Sequence, residues 1–201
     1  SVAISGDYAI VGARLDDDNG SDSGSAYIFR RTGTNSWDGG TKILPSDGAS
    51  YDEFGYSVAI SGDYAIVGAR FDEDNGSRSG SAYMFRRTGT NSWDGGTKIL
   101  PSDGASYDEF GYSVAISGDY AIVGARFDED NGSRSGSAYM FRRTGTNSWD
   151  GGTKILPSDG ASDDFFGDSV AISGDYAIVA ASGDDDNGSN SGSAYITRVA
   201  P

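Results

Sequence analysis

Four short acidic runs carry most of the chemistry available to this 201-residue chain. They are Asp16-Asp17-Asp18-Asn19-Gly20, Asp72-Glu73-Asp74-Asn75-Gly76, Asp128-Glu129-Asp130-Asn131-Gly132 and Asp184-Asp185-Asp186-Asn187-Gly188. Calcium takes six to eight hard oxygens, and carboxylates alternating along a tight glycine-containing loop supply several of them. The spacing is not that of an EF-hand. Counted back from Gly76 as position six, position one is Phe71 and position nine is Ser79. The same residues also make a plain solvated turn, because Asp and Asn bond their own backbone and Asn-Gly favours left-handed geometry. Arg70 and Arg78 can neutralise the second loop without a metal, as Arg126 and Arg134 can the third. The Asn-Gly-Ser triplets at Asn19, Asn75, Asn131 and Asn187 match the N-glycosylation acceptor pattern, yet Asn-Gly is a strong turn signal by itself.

Other chemistry is closed off by composition. Cys and His are both absent, which removes thiolate nucleophiles, imidazole bases, disulfides and Cys/His zinc sites. Thirty acids against fifteen bases give a net charge of −15, a surface that repels nucleic acid and anionic membrane. No apolar run approaches the roughly 18 residues of a membrane span, so membrane insertion is not expected, and no signal peptide is visible. Trp37, Trp93 and Trp149 recur at one place beside Asn and Asp. A ring of exposed Trp stacks on sugars, whereas a buried one packs an interface. Carboxyl pairs at glycosidase spacing arise by chance among thirty acids. Catalysis uses unlike groups in distinct roles, while almost every acid here has an equivalent in each repeat, so no enzyme is expected.

The elements that position these groups come in a tandem array. Ser-Val-Ala-Ile-Ser-Gly-Asp-Tyr-Ala-Ile-Val begins at residues 1, 57, 113 and 169, so the repeats span 1–56, 57–112, 113–168 and 169–201. The stretch 57–106 recurs unchanged at 113–162. A fixed period of this size means one supersecondary unit stacked on its copies, with no linker to separate domains. The residues without equivalents gather near the last copy (Asp163, Phe165, Asp168, Ser182, Gly183, Asn190 and Thr197) and read as an adaptation of the end of the array.

Within a repeat the signals are those of strands. Residues 57–61 and 64–69 flank Gly62-Asp63, a hairpin connection. Residues 81–86 and 97–100 supply two more strands. Both alternating sides are apolar, so each sheet needs cover on both faces. A radial stack of four-stranded antiparallel blades provides it. A parallel β-helix is the rival, and the antiparallel hairpin weighs against it.

Phe54-Gly55 followed by Gly68-Ala69-Arg70, and Phe110-Gly111 followed by Gly124-Ala125-Arg126, resemble the FG-GAP repeat of integrin-alpha-type β-propellers. Phe166-Gly167 with Ala180-Ala181-Ser182 is a degenerate copy. Arg14, Arg70 and Arg126 stand where the family's motif has proline. The resemblance implies an all-β propeller of four blades here, the last lacking its outer strand. It also implies an extracellular or surface setting, and calcium held by the acidic loops. Carried over position by position, the ligands are Asp16, Asp18 and Asn19; Asp72, Asp74 and Asn75; Asp128, Asp130 and Asn131; and Asp184, Asp186 and Asn187. The function it points to is non-catalytic recognition or adhesion with a protein or glycan ligand. A carbohydrate-binding or polysaccharide-acting propeller, with Trp37, Trp93 and Trp149 as the binding residues, and a structural unit of a surface assembly or filament are the alternatives.

Alternation of the strands places the loops after strands two and four on one side. In the second repeat that side gathers Asp72, Glu73, Asp74, Asp103, Asp108 and Glu109 against Arg70 and Arg78. Lys98, Arg86 and Arg87 are expected on the opposite, more basic side with Asp63 and Asp94. The open edge of the last blade reads either as that of a fragment of a larger propeller or as that of a protomer completing a ring with a second copy of the chain.

Overall fold

The computed structural model describes residues 1–199. Its described residues form four antiparallel sheets and no helix. The first blade holds β1 (Val2–Ser5), β2 (Tyr8–Ala13), β3 (Ser25–Gly33), β4 (Ser36–Trp37) and β5 (Thr41–Ile43). The second holds β6 (Phe54–Ser61), β7 (Tyr64–Ala69), β8 (Ser81–Gly89), β9 (Ser92–Trp93) and β10 (Thr97–Ile99). The third holds β11 (Phe110–Ser117), β12 (Tyr120–Ala125), β13 (Ser137–Gly145), β14 (Ser148–Trp149) and β15 (Thr153–Ile155). The last is a three-stranded sheet of β16 (Phe166–Ser173), β17 (Tyr176–Ala181) and β18 (Ser193–Arg198).

Each of the first three blades is a four-position meander whose outer strand is split in two. In the second blade β9 pairs with the far end of β8, and β10 pairs with its near end through Lys98 opposite Tyr83. Asp94 fixes the break, its Oδ1 accepting the Arg86 and Gly96 N–H groups at 2.9 and 3.3 Å. The strand expected at residues 97–100 is found as β10, and β9 is an additional short strand set off from it by the turn containing Gly95 and Gly96.

Blades pack face to face, which is why both sides of every strand are apolar. Ile10, Ala26, Ile28 and Ile43 of the first blade meet Val58, Ile60, Ala65, Val67, Tyr83 and Phe85 of the second. Ile66, Ala82, Met84 and Ile99 on the other side of the second blade meet the corresponding set from the third. The innermost strands run in sequence, β1 against β6, β6 against β11 and β11 against β16. Among the described residues the first and fourth blades share no packed pair of strands, so the fan is open.

The Phe-Gly pair is the joint between blades. It lies inside the first strand of the second, third and fourth blades rather than in a turn before it. The Phe54 N–H donates to Ser23 O at 3.0 Å, and Phe110 and Phe166 repeat the bond to Ser79 and Ser135 at 2.9 Å. The Phe54 ring is fully buried and stands edge-on to Tyr83 and Phe85, with centroids 5.4 and 5.9 Å away. Behind it two main chains touch. A Cβ on Gly12 would lie 1.9 Å from Gly55 O, and on Gly68 or Gly124 it would lie 2.1 Å from the carbonyl of Gly111 or Gly167. No rotamer relieves a clash between backbone atoms, so side chains are excluded there.

Gly68→Ala is therefore expected to cost about 3 kcal/mol in chemical denaturation. Gly95→Ala, where a Cβ meets nothing within 4 Å, is the control and should stay within about 0.5 kcal/mol of the parent.

Candidate functional site

Each acidic loop is built by the same local bonds. In the second repeat the Asp74 N–H donates to Asp72 Oδ1 at 3.1 Å. The Asn75 N–H donates to Ser79 Oγ at 3.2 Å, and Ser79 Oγ donates back to Asp72 O at 3.1 Å. The bonds recur at Asp16, Asp128 and Asp184. The local chemistry is that of an Asx turn, as the sequence indicates.

The leading aspartate is not solvated. Asp72 is 3% exposed. Its Oδ2 accepts from Ser81 Oγ at 3.0 Å and Tyr83 Oη at 3.2 Å, and Lys98 Nζ lies 2.8 Å away. Lys98 Nζ also reaches Asp74 Oδ2 at 2.6 Å and Asp47 Oδ2 at 2.9 Å. Lys154 repeats the arrangement on Asp128, Asp130 and Asp103 at 2.8, 2.5 and 2.9 Å. Lys42 joins Asp16 and Asp18 in the first repeat. Burial works against the charge on Lys98, yet its hydrogen bonds to Asp72, Asp74 and Asp47 outweigh it and hold the ammonium well above the ordinary lysine range. Burial likewise raises Asp47, but the Lys98 and Tyr83 donors bring it below the usual carboxylate value.

Two expectations are corrected. Lys98 belongs to the acidic rim, not the opposite one: its stem lies along the Tyr83 ring, Nζ 5.3 Å from the centroid, and delivers the ammonium into the loop. The arginines do not neutralise the acidic runs. Arg70 Nε bonds Glu53 Oε2 at 2.9 Å, while its guanidinium stacks 3.9 Å from the Tyr56 ring centroid and 4.1 Å from that of Phe71. Arg14 joins the same Glu53 at 3.0 Å, and Arg126 pairs with Asp168 at 3.1 Å. The arginines that replace the motif's proline thus pair with acids at or just before the first strand of a blade. Arg134 meets Asp163 at 2.6 Å, so two of the unmatched acids near the last copy serve the arginines of the third. On the opposite rim Asp7, Asp63 and Asp119 pair with Arg31, Arg87 and Arg143.

The first three loops do not fit calcium. The carboxylates carried over as ligands converge on a lysine ammonium, and Asn131 turns its amide N–H toward Pro157 O at 3.3 Å. Among the described residues no three carboxylates are placed to hold a metal ion together. In the fourth repeat Asp184 Oδ2 accepts Tyr195 Oη at 3.0 Å, and Tyr195 also donates to Asp159 at 3.0 Å.

The tryptophans sit at the blade junctions. Trp93 stands edge-on to Tyr8 and Trp149 to Tyr64, each pair with centroids 6.2 Å apart. Trp37 is 41% exposed.

Sequence reasoning passed over two clefts on the acidic rim. One, of about 370 Å³, is lined by Tyr51, Glu53, Phe71, Glu73, Ser77 and Arg78 between the first and second blades. The other, of about 270 Å³, is lined by Tyr107, Phe127, Glu129, Ser133 and Arg134, one repeat further on. The available signal was the pair of substitutions Leu15/Phe71 and Asp22/Arg78, which gives the second and third loops an aromatic and a cation that the first lacks. Asp52 and Asp108 line separate hollows beside Lys98 and Lys154. Burial pushes both carboxyls up to about 6, against the opposing bonds from the Ala49 and Ala105 N–H groups at 2.7 Å.

Two outcomes follow from these environments. Lys98→Met leaves buried Asp72 without its cation and is expected to lower stability by about 3 kcal/mol in denaturant titration, whereas chelator leaves the parent's thermal midpoint unmoved. Asp52 and Asp108 bind protons more tightly folded than unfolded, so the stability they contribute is present below the ordinary carboxylate range and is lost as pH rises through about 6. Asp52→Asn with Asp108→Asn keeps an oxygen for both N–H donors. The thermal midpoint of that double variant should fall less than the parent's between mildly acidic and neutral pH.

The profile of the FG-GAP repeat matches residues 1–29, 37–85, 93–141 and 149–197. A search of the curated proteins gave no match. The last three matched segments each run from the split outer strand of one blade through the inner strands of the next, across the Phe-Gly joint. The chain belongs to the FG-GAP repeat family, as a propeller-like array of four blades with the last one partial.

Proposed function

We propose that the chain is a non-catalytic recognition module of an extracellular or surface protein, engaging a protein ligand through the inter-blade clefts of its acidic rim. The observation that carries this reading is the repetition of one cleft. Tyr51 and Tyr107, Phe71 and Phe127, Glu73 and Glu129, and Arg78 and Arg134 line two equivalent hollows one blade apart. Tyrosine and arginine beside an apolar ring are the residues that dominate protein interfaces. Two copies of the same hollow give multivalent binding, whereas a reaction centre needs groups of different kinds.

The backbone conformation of the cleft residues is shared with the equivalent positions of the other repeats, where Asp22, Asp163, Phe165 and Asn190 also have positive φ. Tyr51, Glu53, Arg78, Tyr107, Glu109 and Arg134 all have φ between 52° and 75°. Such conformations cost free energy in residues with side chains and persist where the surroundings hold them. The acidic loops flanking the clefts favour a ligand with basic groups. The lysine-filled loops serve this reading as rigid walls, so calcium is not required for it in the first three repeats. A glycan ligand is the second reading, favoured by exposed Trp37 and by the exposed tyrosines of both clefts.

Arrays of lysine- and arginine-rich peptides and of glycans separate the two. The parent chain is expected to bind basic peptides, and Tyr51→Ala with Tyr107→Ala to lose that binding at an unchanged thermal midpoint. Glycan binding lost in Trp37→Ala would favour the second reading. Peptide binding that survives removal of both tyrosines would overturn the first.

A further inference from the structure

The acidic rim holds a second pair of hollows beside the aromatic clefts. One, of about 230 Å³, gathers the carboxyls of Asp47, Asp52, Asp72, Glu73 and Asp74 around Lys98. Its equivalent one repeat on, of about 210 Å³, gathers those of Asp103, Asp108, Asp128, Glu129 and Asp130 around Lys154. Ser50 and Glu73 line the first hollow and the first cleft alike, and Ser106 and Glu129 the second of each. Every hollow therefore adjoins a cleft across a Ser/Glu ridge.

The lysine does not serve all of these acids. Lys98 pairs with Asp47, Asp72 and Asp74, and Lys154 with Asp103, Asp128 and Asp130. Among the described residues Asp52, Glu73, Asp108 and Glu129 have no cation within ion-pair distance. Asp52 and Asp108 are each 5% exposed. Their Oδ2 atoms accept the Ala49 and Ala105 N–H groups at 2.7 Å, while neither Oδ1 accepts a hydrogen bond from a described residue. A buried carboxylate oxygen without a donor is costly, and each of these carboxyls borders a hollow.

We propose that each hollow binds a primary alkylammonium group, which donates to Asp52 and Glu73 in one site and to Asp108 and Glu129 in the other, its alkyl stem crossing the ridge toward the aromatic cleft. The chain itself supplies the precedent. Lys98 and Lys154 lay their stems along tyrosine rings, Nζ 5.3 and 5.4 Å from the centroids, and end in an ammonium among carboxylates. A ligand amine repeats that arrangement with Tyr51 and Phe71, or Tyr107 and Phe127, as the ring wall. The acceptors also select the class of cation. No three carboxylates among the described residues converge on one metal position, whereas an ammonium carries three separate donors and is satisfied by acceptors that lie apart. The excess of negative charge draws a cation in. A free diamine and a lysine side chain offer the same group, and only the lysine source rests on the protein-ligand reading above.

Calorimetric titration of the 201-residue chain with cadaverine, which is lysine without its carboxylate, tests this. It is run at mildly alkaline pH, where Asp52 and Asp108, pushed up to about 6 by burial, are ionised. Two equivalents are expected to bind, one per hollow. Asp52→Asn should lose one of them, and Asp52→Asn with Asp108→Asn both. The amide keeps an oxygen for the N–H donor, so thermal midpoints should not fall. Glu73→Gln with Glu129→Gln, on the exposed ridge, should weaken both sites about tenfold. Cadaverine made quaternary at both nitrogens keeps its charge but cannot donate, and should also bind about tenfold more weakly. Equal binding of the quaternary analogue, two equivalents retained after Asp52→Asn with Asp108→Asn, or no saturable binding overturns the proposal. A lysine-containing peptide that displaces cadaverine assigns the ammonium to a protein ligand, and cadaverine bound without such displacement assigns it to a free amine. Basic peptides that bind through Tyr51 and Tyr107 in a chain that takes no cadaverine would remove this inference and leave the recognition reading standing.

Discussion

Everything in this fold is spaced by a contact in which two main chains meet with no side chain between them. At Gly12 and Gly55, and again at Gly68 with Gly111 and Gly124 with Gly167, the carbonyl of one blade occupies the volume a Cβ of its neighbour would need. That approach sets how closely the inner strands converge, and hence how the faces outside them meet. Phe54, Phe110 and Phe166 then fill the space beside the joint and are completely covered. Burial of residues such as Ile66, Ile122 and Val123 on the facing sheets contributes roughly 1.5–3 kcal/mol each, but only while the joint keeps those faces in register. The motif is thus a steric requirement of stacking, and it says nothing by itself about a ligand.

Charge is the second constraint. A net −15 on a chain of this size opposes compaction, and the acids are crowded onto one rim. The fold answers with a cation supplied by the chain itself. Lys98 and Lys154 enter carboxylate clusters through the outermost strand of each blade, where a long stem can lie on a buried tyrosine and leave only the ammonium among the oxygens. These pairs differ from the exposed ion pairs of the opposite rim, such as Asp63 with Arg87, which contribute little because water screens them. In the first three repeats the loop carboxylates thus find an ion-pair partner within the chain itself.

Repetition shapes the functional reading more than any single residue does. Equivalent clefts and equivalent ion clusters at successive blades favour binding by summed weak contacts over chemistry at one point. It also means that each face of a blade is complementary to the opposite face of any other.

The sequence by itself determined the repeat, its period, the strand content, the hairpin at Gly62-Asp63 and the need for cover on both faces, because periodicity of two and turn chemistry are local. It also determined the acidic turns, whose bonds run between residues two to seven apart. The place of Lys98 was decided only by tertiary structure. Counting loops along the chain assigns a rim to each turn, but not the direction in which a lysine on a three-residue strand sends its side chain, nor that Asp47 from the previous repeat meets it. The tryptophans were ambiguous for the same reason: Trp93 is an interface residue because Tyr8 of the neighbouring blade lies against it, which its local sequence does not show. Identical segments 57–106 and 113–162 carry the same instructions, and the first repeat carries nearly the same ones. Whether a face is core or surface was settled by what stands next to it, since burial belongs to the pair of surfaces and not to either sequence alone.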